Sequence, residues 1–158
     1  MSDVPQEPVE RVREVVSRVI DALGLDASVE VTENADEIRA TVDGPDEMGR
    51  LIGRHGQTID ALQHLAWRAA FHDRDVRKSV VVDAAGYRQR REEALQRQAD
   101  RAASEALRFG RPVELEPMSA SERKTVHNYL ADRTDVETHS EGDEPERRLV
   151  VSPLRDLS

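Results

Sequence analysis

Cysteine is absent from the 158 residues, which excludes disulfides and thiolate metal sites and fits a reducing compartment. Aromatic side chains are scarce, limited to Trp67, Phe71, Tyr87, Phe109 and Tyr129. Base-stacking platforms therefore have little material, and any grip on nucleic acid must rely on backbone contacts and aliphatic surface. No run of about 18 apolar residues and no basic-then-apolar leader occurs, so neither membrane insertion nor secretion is expected, and the expected location is the cytoplasm. The length allows one domain or two small ones, each with a core of its own.

Charge is unevenly spread. The net value of −9 argues at first against a polyanionic partner. Residues 1–48 hold 13 acids and 4 arginines, net −9; residues 49–127 hold 15 bases and 11 acids, net +4; residues 128–158 hold 4 bases and 8 acids, net −4. Local potential decides anion binding more than the total does, and the positive stretch contains the most informative motif of the chain. Arginine outnumbers lysine 21 to 2, so coding preference alone accounts for part of this bias.

The periodicities alternate in type. Pro5 and Pro8 precede Val9, Val12, Val16, Val19 and Leu23, one helical face that stops at Gly24. Val29 and Val31 alternate with polar neighbours, Asn34-Ala35-Asp36 makes a turn, and Ile38, Ala40 and Val42 alternate again, which predicts a β-hairpin closed by Asp43-Gly44-Pro45. Residues 46–52 read as a short helix. A longer helix from Thr58 directs Ile59, Leu62, Leu65, Ala66 and Ala69 inward, and Ser79–Val82 is a β-branched strand. Residues 84–109 form one long charged helix with a sparse apolar side (Ala94, Leu95, Ala102, Ala106, Leu107) ending at Gly110. A short strand with Val113 and Leu115 follows, bounded by Pro112 and Pro117. Ser119-Ala120-Ser121-Glu122 is a capping box ahead of a helix with Val126, Tyr129 and Leu130. Residues 136–139 and 148–151 pair as strands across the acidic loop 140–146.

Between the short helix and the long one runs Gly49-Arg50-Leu51-Ile52-Gly53-Arg54-His55-Gly56-Gln57-Thr58-Ile59. Glycines without a Cβ let a backbone come close to something, and the Arg54-His55 pair between them donates hydrogen bonds or carries charge, so a phosphate chain is the natural guest. Gly-x-x-Gly alone can be a tight helix-helix turn; the aliphatic flanks, the internal base and the hairpin upstream raise its meaning. No Gly-Lys-Ser/Thr follows, which excludes a Walker loop, and the spacing of Gly49, Gly53 and Gly56 fails the dinucleotide fingerprint.

In a helix-strand-strand-helix-helix-strand order, Ile52-Gly53-Arg54-His55-Gly56-Gln57-Thr58-Ile59 resembles a type II KH domain. The resemblance implies a groove between the loop and the hairpin, with Gly53 and Gly56 close to backbone, Arg54 and His55 on phosphates, Arg50 and Gln57 flanking, and Ile52 in an aliphatic floor.

A second motif is Arg123-Lys124-Thr125-Val126-His127, where Arg and His at i and i+4 project from one helix face. Alone it is most simply a solvated face. In its setting, from Tyr87 to Val151 with Gly110-Arg111-Pro112-Val113-Glu114-Leu115-Glu116-Pro117-Met118, it resembles the Arg-x-x-x-His single-stranded nucleic-acid-binding domain. The succession of the two is similar to the Jag (KhpB) family of bacterial RNA-binding proteins, over nearly all of residues 25–153. Longer members carry a further amino-terminal domain with no counterpart in these residues, and nothing of its role transfers.

The resulting expectation is an α+β chain of two small domains: a type II KH fold over 1–84, and an Arg-x-x-x-His domain over 85–158 that includes the bridging helix 85–109. The family resemblance implies a non-enzymatic, sequence-tolerant binder of single-stranded RNA, with single-stranded DNA left open. It further implies an RNA chaperone or post-transcriptional regulator tied to cell-envelope and elongation control. Arg123, Lys124 and His127 supply the second anchor. No cofactor or metal is expected, because His64 and His72 lack cysteines or a suitable carboxylate set. A second small KH protein or another copy of the chain is a further expected partner. Trp67 and Phe71, an i+4 pair off the inward stripe, are either packed under the long helix or an interface. Two competing readings are an acidic protein-protein adaptor and, with only Asp60 near the loop, a metal-dependent nuclease.

Overall fold

A computed structural model describes residues 7–72 and 78–154. Among these, no helix is long and apolar enough to cross a membrane. Helix α1 (Pro8–Ala22) begins with Pro8 in its first turn, where a missing N–H removes no intrahelical bond; Pro5 lies outside the described residues. It buries Val12, Val16 and Ile20 and ends in a Schellman turn, with Gly24 at positive φ, Gly24 N–H donating to Asp21 O and Leu25 N–H to Ile20 O.

Strands β1 (Ser28–Glu33) and β2 (Glu37–Asp43) form the expected antiparallel hairpin. Asn34 Oδ1 accepts from the amides of Asp36 and Glu37 at 2.8 and 2.9 Å, so one side chain replaces the backbone bonds that the turn leaves open. Helix α2 is confined to Gly49–Ile52, shorter than the 46–52 expected, and α3 runs Gln57–Phe71. They carry the chain across the sheet to β3 (Ser79–Ala84), which lies parallel to β2; the strand order is β1-β2-β3. The core between helices and sheet holds Val12, Val16, Ile38, Val42, Leu51, Ile59 and Val82.

Two readings of α3 need correction. Leu65 is 57% exposed, not inward, and Ala69 is only half-buried; the packed stripe continues instead through Ala66, Ala70 and Phe71. Phe71 is not off the packed side: it is buried in the core of the first unit, against which Tyr87, the first residue of the long helix, also packs. Trp67 sits edge-on to Phe71 at 6.5 Å, and its indole N–H donates to Lys78 O at 3.2 Å.

Helix α4 spans Tyr87–Phe109, after a bend in which Ala85 and Gly86 both take positive φ. Its buried side is Leu95, Ala99, Ala102, Ala103 and Ala106, whereas Leu107 points to solvent and Ala94 is half-buried. Strand β4 (Val113–Glu114), helix α5 (Ala120–Leu130) and strands β5 (Val136–Glu141) and β6 (Arg148–Pro153) follow. The second sheet is antiparallel in the order β4-β6-β5, and its core joins the α4 alanines to Leu115, Met118, Val126, Leu130, Leu149 and Val151. Ser119 caps α5 by accepting from Glu122 N–H, as the capping box predicts.

Contacts divide the chain into two compact units after Arg88. The division follows chemistry: Arg88 donates to Gln63 Oε1, to Val82 O and to Asp60, and its own amide donates to the buried Asp83 carboxylate.

Candidate nucleic-acid interface

The glycine loop is a sequence of left-handed steps. Gly53 has φ 74 and ψ 178, a region essentially reserved for glycine, His55 has φ 54 and ψ 26, and Gly56 has φ 78 and ψ 12. Histidine is among the few side chains enriched at such angles. Bonds from Gly53 N–H to Gly49 O at 2.8 Å and from Gly56 N–H to Gly53 O at 3.3 Å close the turn.

The glycines answer to internal neighbours. A Cβ on Gly53 would lie 2.8 Å from Thr58 Cβ and 2.9 Å from Thr58 N, and one on Gly56 would lie 2.6 Å from the Tyr87 hydroxyl oxygen. Thus the absent side chains let α3 and Tyr87 pack against the bend, where sequence alone had pointed to the approach of an external backbone.

What faces outward is the pair between the glycines. Arg54 and His55 are exposed, as are Arg50, Gln57 and Thr58, and neither Arg50, Arg54 nor His55 pairs with a carboxylate among the described residues. Gly56 occupies the N-cap of α3 without any side-chain cap, so the positive end of the helix macrodipole opens into the loop. The acid of that first turn, Asp60, is engaged by Arg88. Ile52 is half-buried and packs against the core at the foot of the loop. Helix α1, in the acidic first segment, packs on α3, β1 and β2.

On α5 the expected residues separate. Lys124 and His127 are exposed, and the His127 ring shares a hydrogen bond through Nδ1 with Thr138 Oγ1. Arg123 is 8% exposed; its guanidinium donates to Met118 O at 2.6 Å and to Glu144 Oε1 at 2.6 Å. It therefore ties the approach to α5 to the acidic loop and does not stand on the open face beside His127. Sequence reasoning marked that loop as acidic but did not single out Glu144, since nothing local couples it to a residue 21 positions earlier. Glu122 is engaged in the same way by Arg91, at 2.8 and 3.3 Å. Elsewhere on this unit the Arg133 guanidinium holds the Asp135 carboxyl below its ordinary range, and the hydrogen bond to Asp100 raises the Tyr129 phenol.

Arg123→Ala is expected to destabilise the second unit by about 2 kcal/mol, because a buried carbonyl and a carboxylate lose their donor together. Glu144→Gln, at a mostly exposed side chain, should cost under about 1 kcal/mol. Urea unfolding followed by circular dichroism measures both; equal, small effects would show that the arginine is not a structural tie.

Residues 9–83 match the KH-domain family of KhpA and KhpB, and residues 93–153 match the domain family named for the Arg-x-x-x-His motif. The chain is 37% identical over 145 residues to the RNA-binding protein KhpB of Clostridium symbiosum, covering 90% of this chain and 65% of that protein. Identity to the RNA-binding protein KhpB of Bacillus subtilis is 32% over 151 residues, 94% of this chain and 72% of that one. For the same-named protein of Streptococcus pneumoniae D39 it is 35% over 149 residues, 94% of this chain but only 45% of the relative. Both domains in this order, and a relative matched over most of its own length, place the chain in the KhpB/Jag family.

Proposed function

We propose that this chain binds single-stranded RNA, tolerantly of sequence, with the glycine loop as the primary contact. The observation that carries the reading is the exposed cationic pair Arg54 and His55, left without carboxylate partners among the described residues, between two glycines at an uncapped helix N-terminus. Main-chain amides of the turn and these side chains hold phosphates, Arg50 and Gln57 flank them, and Ile52 floors a groove on which bases lie. Residues 1–84 act as the KH module and 85–158 as the second module. There Lys124 and His127 touch the strand, and Arg123 sets the stretch on which they stand. Relatives of the chain carry the name RNA-binding protein, and that shared name supports RNA over DNA as ligand. A role as RNA chaperone or post-transcriptional regulator in the cytoplasm, linked to envelope and elongation control, is the family-level extension. A second KH protein or another copy of the chain is its expected protein partner.

Two weak sites on one chain bind far more tightly than either alone when one strand spans both. About four to six phosphate contacts at roughly 0.7 each give a salt slope near −3 to −4 for single strands. Fluorescence anisotropy with single-stranded RNA, single-stranded DNA and duplex RNA, across a salt series, tests this. Salt-insensitive binding, or a preference for duplex, would contradict the proposal.

A further inference from the structure

The chain's few aromatic rings are mostly occupied internally. Phe71 is buried, Trp67 and Tyr87 are half-buried, and the Tyr129 hydroxyl donates to Asp100 at 2.9 Å. Phe109, the last residue of α4, is different: it is 55% exposed. The guanidinium carbons of Arg108 and Arg111 lie 5.3 and 5.4 Å from its ring centroid. The ring lines an open depression of about 460 Å³ along α4, which Arg101 and Ser104 also line. Arginines near a helix C-terminus complement the macrodipole. That does not account for a phenyl ring kept more than half in water between two cations, in a chain with so few rings.

We propose that Phe109, with Arg108 and Arg111, is a stacking platform for one base of a single-stranded nucleic acid, made of residues other than those of the glycine loop and other than Lys124 and His127. The proposal rests on the reading of the chain as an RNA binder and adds a contact that this reading did not contain. Every base offers a π-face, so a phenyl ring stacks without selecting sequence, in keeping with sequence-tolerant binding. Guanidinium planes extend such a stack or take the adjoining phosphate as a charge-assisted pair. Two carboxylates share the depression, Asp100 and Glu105; Asp100 already accepts the Tyr129 hydroxyl, and Arg101 and Arg108 line it beside them, with Arg111 against the Phe109 ring. A protein occupant fits less well. Charged side chains make up most of the lining, and one ring is no desolvated apolar centre of the kind that anchors protein interfaces.

The test uses the full chain and labelled oligouridine, intact and with abasic sites, in anisotropy titrations over a salt series. Phe109→Leu should weaken binding of the intact strand about tenfold, and Phe109→Tyr should stay within about twofold of wild type. The salt slope should not change, since no phosphate contact is lost. On the abasic strand, wild type and Phe109→Leu should bind alike. Phe109→Leu binding oligouridine as tightly as wild type, or losing equally on the abasic strand, overturns the platform while leaving the loop-based reading intact. A Phe109→Leu protein whose sedimentation changes while its RNA affinity does not would assign the ring to a protein contact and also overturn it. Absence of salt-sensitive binding of any single strand by the wild type removes both readings.

Discussion

Replacing Arg54 and His55 together by aspartate should lower affinity for single-stranded RNA by at least about 100-fold while leaving the fold intact. Each lost charge-assisted bond to phosphate is worth about 1.5–3 kcal/mol, and two carboxylates in their place repel the strand. Both side chains are exposed and hold no ion pair among the described residues, so nothing internal depends on them. Aspartate suits the backbone as well: position 55 has φ 54, and Asp is one of the few residues that visit this left-handed region readily. The salt slope should fall by roughly 1.4, two contacts at about 0.7 each. Anisotropy gives affinity and slope, and Trp67 fluorescence checks the fold of the first unit. A folded double variant that binds within about twofold of wild type would show that the loop is not the contact.

Much of this arrangement was legible because it follows short-range rules. The Asn34 turn, the alternation of Ile38, Ala40 and Val42, the Gly24 stop and the Ser119 cap each depend on residues within four or five positions, and all are present. The failures share the opposite property. Ala99 and Ala103 complete the packed side of α4 because their small size admits the facing core, a fact about residues far along the chain. Leu65 lies one step off the stripe that the sheet covers, and a helical wheel cannot say how wide that cover is. Arg123 was placed on one face with His127 because i and i+4 share a side of a helix. Its burial depends on Met118 O and Glu144, and the second of these comes from a loop closed by β-pairing. The glycine loop was legible in position but not in cause, since Thr58 and Tyr87 were not visible as its inner walls.

That difference in cause predicts the second large effect. Gly53→Ala should destabilise the first unit by about 3 kcal/mol. The backbone at φ 74 and ψ 178 is strained for any residue with a Cβ, by about 1–3 kcal/mol, and the new atom would meet Thr58 N at 2.9 Å, which no side-chain rearrangement can move. Gly56→Ala should cost about 2 kcal/mol, partly from its left-handed φ of 78 and partly from the Tyr87 hydroxyl at 2.6 Å and ring atoms at 2.8 and 3.0 Å. The two sites then differ in rescue. Tyr87→Leu removes the hydroxyl and outer ring atoms, so the Gly56→Ala, Tyr87→Leu double variant should be less destabilised than the sum of the single changes. No change at Thr58 short of moving the backbone should rescue Gly53→Ala. Trp67 is the only tryptophan, so denaturant unfolding read by its fluorescence isolates this unit. If both alanine variants instead keep stability within about 1 kcal/mol but lose RNA binding, the glycines serve the ligand's approach and not the packing of α3 and Tyr87. The inner walls of the turn would then be incidental, and the outward reading of the loop from sequence would be the better one.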